Sequence, residues 1–127
     1  GVVRDENKLI EGLKKVERLK ESAKSLDVRP DSEGYEDLML AFDLEGAIMS
    51  AEATILGAKE RKESRGSHQR SDYSKTSKKH ELNYVIKLDK NKKLKIKSED
   101  LNPLNDELKS LIESTDEIND FEGMLLE

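Results

Sequence analysis

Apolar residues recur at Leu9, Leu13, Val16, Leu19, Ala23 and Leu26, the three-and-four spacing that lines one side of an amphipathic helix. Lys14, Lys15, Glu17, Arg18, Lys20, Glu21 and Lys24 fill the remaining positions and read as a solvated face. Asp5 stands just ahead of this pattern, where its carboxylate can accept from the first free backbone N–H groups as an N-cap. Pro30, Asp31, Ser32 and Gly34 break the period and predict a loop over residues 27–36. A second, longer helix is expected from Glu36 to Ser64. It carries one apolar stripe of Ala41, Leu44, Ile48, Ala51, Ile55 and Ala58, with a second beside it of Leu38, Phe42, Met49 and Leu56. A helix apolar on two sides is contacted from two sides, which is the position of a central bundle helix. Gly46 and Gly57 each weaken that helix by about 1 kcal/mol relative to alanine, so close backbone approach is the expected compensation. Glu45 and Glu52 fall near the stripes, and burying an unpaired carboxylate is costly. They are read as groups at the bundle edge, with an anchor for a downstream arginine as the alternative.

The second half of the chain changes period. Lys59, Arg61, Lys62 and Arg65 cluster where the second helix should end, matching the negative end of the helix dipole, and Gly66 suits a left-handed C′ position. Residues 67–79 are rich in Ser and Lys without periodicity, an exposed connection. Leu82, Tyr84, Ile86 and Leu88 then alternate as a strand, Asp89–Lys92 supplies a turn, and Leu94 and Ile96 alternate with Lys93, Lys95 and Lys97. Beyond Pro103, Leu104, Leu108, Leu111 and Ile112 predict a short helix, and Phe121, Met124, Leu125 and Leu126 form an apolar patch in an acidic tail. The expected fold is mainly α: an antiparallel helical bundle contributing two long helices (residues 1–66), a loop and small basic β-hairpin appendage (67–97), and an acidic tail with a short C-terminal helix (98–127).

Composition narrows the functional classes. A chain of 127 residues has room for one domain. At 40% charged and 34% hydrophobic residues, it can build only a thin core, or presents surface meant to be covered. No cysteine is present, which excludes disulfides, a thiolate nucleophile and Cys-based zinc sites. No Gly-x-Gly-x-x-Gly or Gly-x-Ser-x-Gly occurs. His68 and His80 lack metal-site spacing. No apolar run reaches the roughly 20 residues that span a bilayer. No residue is therefore assigned a catalytic, cofactor-binding or metal-ligating role. Charge is segregated: residues 59–97 hold 14 Lys and Arg against 5 Asp and Glu, while the rest of the chain holds 9 against 23. Clustered cations attract phosphates, but the hairpin offers one aromatic, Tyr84, where single-strand binders stack bases on several. The reading is no nucleic acid, and contact instead with an acidic partner or with the chain's own tail.

Residues 57–73 run Gly-Ala-Lys-Glu-Arg-Lys-Glu-Ser-Arg-Gly-Ser-His-Gln-Arg-Ser-Asp-Tyr. Arg61, Glu63, Ser64, Arg65, Gly66, His68, Arg70 and Asp72 in that run resemble the Arg-x-Glu-Ser-Arg-Gly-x-His-x-Arg-x-Asp signature near the C-terminus of the succinate dehydrogenase, fumarate reductase and L-aspartate oxidase flavoproteins. Gly1-Val2-Val3-Arg4 resembles the Gly-Ile-Val-Arg segment of the same family, and Lys79-His80-Glu81-Leu82-Asn83-Tyr84 its Lys-His-Thr-Leu-x-Tyr segment. The resemblance implies a carboxy-terminal part of an FAD-dependent enzyme that acts on succinate or fumarate. It implies FAD in the parent protein, none bound by this chain, and no activity in the chain alone. It also implies partners: the flavin-binding region of the same polypeptide and an iron–sulfur subunit. Arg61, Glu63, Arg65, His68, Arg70 and Asp72 are expected to be interface residues, since planar guanidinium forks suit fixed polar contacts. The implied location is cytoplasmic, with any membrane association made through partner subunits rather than direct insertion.

Two alternatives stand beside this: the corresponding domain of L-aspartate oxidase, and an independent helical adaptor whose basic hairpin binds an acidic protein or nucleic acid. The pattern also predicts self-association. One neighbouring helix covers only one stripe of the second helix, which leaves Leu38, Phe42, Met49 and Leu56 to pair between copies or to be closed by Phe121, Leu125 and Leu126 of the tail.

Overall fold

The computed structural model describes residues 3–28 and 35–115. The expectations for Pro30, Asp31, Ser32 and Gly34, and for Phe121, Met124, Leu125 and Leu126, lie outside those residues. The described elements run β1 (Val3–Arg4), α1 (Glu6–Ala23), α2 (Glu36–Glu60), β2 (Gln69–Arg70), a 3₁₀ turn (Lys78–His80), β3 (Leu82–Leu88), β4 (Leu94–Asp100) and α3 (Asp106–Thr115).

α1 begins where its cap predicts. Asp5 adopts extended backbone and its Oδ1 accepts from the Lys8 N–H at 2.9 Å, satisfying one of the donors that a helix start leaves unpaired. Its apolar side packs on α2, and Leu9 and Val16 of α1 with Ile48 and Ala58 of α2 are the buried apolar residues among those described. The seam is marked by Glu6 beside Lys59, Gly12 opposite Ile55 and Lys20 bonded to Glu52. At Gly12 the helices approach closely, for a methyl added there sits 3.2 Å from Cδ1 of Ile55. Leu19, counted on the apolar stripe, is instead about half exposed, and so is Leu26, which falls beyond the end of α1 at Ala23.

Two expectations for α2 are corrected. It ends at Glu60, not Ser64: Arg61 leaves the helix with ψ 93 and hands its carbonyl to His68 instead of continuing the ladder. Gly46 makes no close approach, for a methyl there meets nothing within 4 Å. At Gly57 the added methyl lies 3.6 Å from Ile86 of the hairpin, an ordinary contact. Glu52 sits at the edge of the helix pair, bonded to Lys20 at 2.7 Å.

β3 and β4 form an antiparallel hairpin registered from Leu82↔Asp100 to Leu88↔Leu94, so β4 runs three residues past the predicted Lys97. Leu82, Tyr84, Ile86, Leu94 and Ile96 share its inner side, which Ile86 seats on α2 at Gly57. The outer side carries Lys87 directly opposite Lys95, a like-charge pair that works against the sheet. A short parallel ladder, Val3↔Gln69 and Arg4↔Arg70, was not foreseen. Two-residue strands carry no periodic signal, and the pairing spans about half of the chain.

Gly66 is left-handed (φ +55) but caps no helix. Arg65 and His68 exchange both backbone hydrogen bonds across it, at 2.9 and 3.0 Å, so Gly66–Ser67 is the tip of a tight turn. Two substitutions separate these glycines. Gly46→Ala should raise stability by about 0.5–1 kcal/mol through helix propensity, whereas Gly66→Ala should lower it by about 1–2 kcal/mol through left-handed strain. Both are read as shifts in urea midpoint at constant slope.

Candidate functional site

Beyond Glu60 the chain has lost its helix and must satisfy its polar groups by other means. The residues of the signature do this for themselves and for both helices. Arg70 is the centre, with 1% of its surface exposed. Its Nη1 donates to the carbonyls of Ala58 (3.2 Å) and Lys59 (3.0 Å), the last turn of α2. Its Nη2 donates to Glu6 at the start of α1 (3.0 Å) and to Oδ2 of Asp72 (2.6 Å), while Nε donates to Oδ1 of Asp72 (2.9 Å). The guanidinium also lies over the Tyr73 ring, 4.8 Å from its centroid. Asp72 in turn accepts from the Glu6 N–H at 2.9 Å, so it caps α1 from 66 residues away. One buried cation thus closes the C-terminus of α2, and its carboxylate partner closes the N-terminus of α1, each matched to the sign of the local helix dipole.

A second cluster ties α2 to the hairpin. Glu63 has no exposed surface. It accepts from Arg61 Nη1 (2.6 Å), Arg65 Nε (2.9 Å) and the Ser77 N–H (2.7 Å). Arg61 reaches on to the carbonyls of His80 and Leu82, both at 2.8 Å, and stacks over the Tyr84 ring at 4.8 Å. The Tyr84 hydroxyl meets Nδ1 of His80. Between the clusters, Ser64 Oγ accepts from the Arg70 N–H (2.9 Å) and donates to the Tyr73 carbonyl (2.8 Å). His68 bridges Arg4 and Arg61: Arg4 Nη1 is 3.1 Å from Nδ1, and Nε2 is 3.0 Å from the Arg61 carbonyl. A guanidinium can only donate, so Nδ1 accepts and Nε2 carries the proton. The imidazole is held neutral in one tautomer.

The electrostatics follow from these contacts. The Arg65 guanidinium, then the Ser77 amide and Arg61, hold Glu63 at about 2 against an ordinary 4.5, overcoming the opposing effect of burial. Arg70 holds Asp72 at about 2 against 3.8, and Asp72 first, then Glu6, raises Arg70 above its usual range. His68 is lowered from 6.5 by burial first and then by Arg4, Arg70 and Arg61.

All six residues singled out from the sequence therefore meet in one continuous network. Glu63 and Arg70 are its buried interior; Arg65 stands at its edge with 41% of its side chain exposed. Arg4, Glu6, Ser77 and Tyr84 complete it and were not recognised, because spacing cannot show that Arg4 meets a histidine 64 residues on. Of Lys59, Arg61, Lys62 and Arg65, expected to answer the dipole of α2, Lys59 stands in its last turn and the others lie beyond Glu60, while direct hydrogen bonds to the Ala58 and Lys59 carbonyls come from Arg70. Among the described residues no group of three His, Cys, Asp or Glu could hold a metal ion, and no helix is long and apolar enough to cross a membrane.

A family described as the C-terminal part of the fumarate reductase flavoprotein matches residues 1–115. The chain belongs to that family. The family is that of an oxidoreductase flavoprotein, and residues 1–115 take in the whole polar network. Among solved structures the chain is similar to Mycobacterium smegmatis Sdh1 in complex with UQ1 (23% identity, TM-score 0.72, 83% of this chain and 18% of that one). It is similar also to the same complex in the apo form (24%, 0.73, 83% and 18%). E. coli quinol fumarate reductase FrdA aligns at 22% identity, TM-score 0.72, over 83% of this chain and 19% of that one. These likenesses establish a shared fold, and the chain spans less than a fifth of the length of those proteins. No curated protein sequence matches it.

Arg70→Met leaves two carboxylates and two helix carbonyls without their cation, and should lower stability by about 3–5 kcal/mol, measured by urea denaturation. Acid should act in two steps. The unfolded chain protonates His68 first, so stability falls below pH 6.5. Glu63 and Asp72 stabilise fully above their ordinary values of 4.5 and 3.8, and that contribution drains away as pH falls toward about 2. His68→Gln should flatten the first step alone, and Glu63→Gln the second, in urea midpoints taken across the pH range.

Proposed function

We propose that the chain is the C-terminal docking domain of an FAD-dependent succinate dehydrogenase or fumarate reductase flavoprotein subunit. In this reading the helix pair belongs to an antiparallel bundle completed by the parent protein, and it packs on the flavin-binding region and an iron–sulfur partner subunit. The flavin supplies the hydride chemistry in such a protein; this chain supplies a rigid surface and binds no flavin of its own. The family match over residues 1–115 supports the parent. The observation that carries the docking role is the apolar surface at the start of α2, where Tyr35, Met39, Leu40 and Phe42 are each 64–75% exposed. Tyr35, Met39 and Phe42 fall at i, i+4 and i+7 on one side of the helix start, with Leu40 on another, and exposed apolar side chains grouped in this way mark an interface. The signature lies at the other end of α2, where Arg61, Glu63, Arg65, His68, Arg70 and Asp72 hold the helix terminus and the hairpin together, and in this reading Arg65, at the exposed edge, adds a second point of contact.

The experiment is reconstitution of this chain with the separately produced flavin-bearing remainder of the subunit. Phe42→Ser and Arg65→Ala should each weaken association by about tenfold, equivalent to about 1.4 kcal/mol, with circular dichroism of the chain essentially unchanged. Unaltered affinity in both variants would overturn the docking role. A yellow purified chain, or dye reduction by the chain with succinate above the buffer control, would overturn the assignment of flavin chemistry to the rest of the protein.

A further inference from the structure

The polar network holds one guanidinium more than it holds carboxylates. Arg61 and Arg65 share Glu63, and Arg70 is divided between Glu6 and Asp72. Arg4 makes no ion pair among the described residues. Its Nη1 donates to the neutral imidazole of His68 at 3.1 Å, and its carbonyl accepts from the Ser71 N–H at 2.9 Å. The adjacent Asp5 is committed to the α1 cap and to Lys8, 2.9 Å away. Glu6 is taken by Arg70, with Lys59 a further cation at 3.7 Å. The fold gains nothing from the charge on Arg4. A neutral donor of similar reach would make the same bond to Nδ1 without setting another cation beside His68, which burial first, and then Arg4, Arg70 and Arg61, already hold below 6.5.

The surroundings suit an incoming anion. Arg4 is only partly covered, and the turn it adjoins through His68 has Gly66 and Ser67 exposed at its tip, where little side-chain bulk stands in the way of a second backbone. Gln69 is folded back on that turn, its Nε2 donating to the Gly66 carbonyl at 2.7 Å. Arg65, 41% exposed, belongs to the same turn. A guanidinium has five donors in a rigid fork, and the group that answers such a fork is a carboxylate held by two parallel hydrogen bonds. His68 fixes the fork: with Nε2 donating to the Arg61 carbonyl at 3.0 Å, its Nδ1 is left in place to accept from Arg4. We propose that Arg4 is the anchor for an aspartate or glutamate side chain on the flavin-bearing remainder of the subunit, and that His68 is the positioning residue that aims it. This inference rests on the docking reading and adds to it an ionic contact at the end of α2 opposite the apolar surface at residues 35–42.

The test measures association of the full chain with the separately produced flavin-bearing remainder, at low and high salt. Arg4→Gln should weaken it about tenfold at low salt, with the urea midpoint of the chain unchanged, and the loss should shrink in high salt as the ion pair is screened. Arg4→Lys keeps the charge without the fork and should lose about threefold. His68→Gln can still accept from Arg4 and donate to the Arg61 carbonyl, so it should bind as the unaltered chain does. His68→Leu should weaken association, and should add nothing further when combined with Arg4→Gln, because both remove the same aimed contact. Equal affinity of Arg4→Gln and the unaltered chain would overturn the anchor and leave the docking reading standing. A loss of the same size at both salt concentrations would also overturn it, as would additive losses in the double variant. If Arg4→Gln lowers the urea midpoint, Arg4→Lys decides: affinity equal to that of the unaltered chain overturns the proposal. No association by the unaltered chain would overturn the docking reading and the anchor together.

Discussion

A guanidinium with almost no contact with water, placed where two helix ends converge, is the constraint on which this structure depends. Burying a cation costs several kcal/mol unless every donor is answered. Arg70 meets that condition with Asp72, Glu6 and the carbonyls of Ala58 and Lys59. The arrangement does more than neutralise charge. It fixes the angle at which α1 leaves β1, because Glu6 and Asp72 are both tied to the first turn of α1. It also fixes the end of α2, because the carbonyls that a further helical turn would have used accept from Arg70 instead. With Leu9, Val16, Ile48 and Ala58 as the buried apolar residues among those described, apolar packing alone would leave the helix pair loosely specified. The polar lock supplies direction where the core supplies little area.

The hydrogen bonds of the signature cross the boundary drawn at residue 66 between helices and hairpin. Arg61 lies on the helical side yet bonds the carbonyls of His80 and Leu82, and Arg70 lies beyond it yet closes both helices. Helices, turn and hairpin therefore share one polar interior, and a change in any of its members is felt by all three. This is the physical basis for treating the domain as a rigid surface. A network in which Glu63 has four donors around two oxygens has little freedom to rearrange. Outside this network, the apolar start of α2, the edge at Arg65 and the lysine-bearing side of the hairpin are exposed.

The pattern of the sequence was sufficient for the elements whose periods are long. The spacing of Leu9, Leu13 and Val16 marked α1, Asp5 marked its start, and the alternation from Leu82 to Ile96 marked the hairpin. The identity of the signature was equally legible as a string, since eight specified residues in twelve positions resemble one family. What the string did not disclose was direction. Arginines near a helix end suggested capping cations and outward-facing donors, but Arg70 points inward and Glu63 is wholly covered. Helix termini were misplaced for the same reason. Residues 61–64 have acceptable helical propensity, and only a competing set of tertiary acceptors draws Arg61 out of the ladder.

By itself the sequence determined which segments are helical, where the strands alternate, how charge divides between a basic middle and acidic flanks, and which family the signature resembles. These depend on neighbours a few residues away, so a linear text contains them. Tertiary structure alone decided that Arg4 stands beside His68, that Asp72 caps a helix beginning 66 residues earlier, and that Gly66 turns a loop instead of ending a helix. Each of those outcomes requires two distant segments to arrive at one place. The energies that select them, burial of a charge against its pairing, exist only once the chain has closed around it.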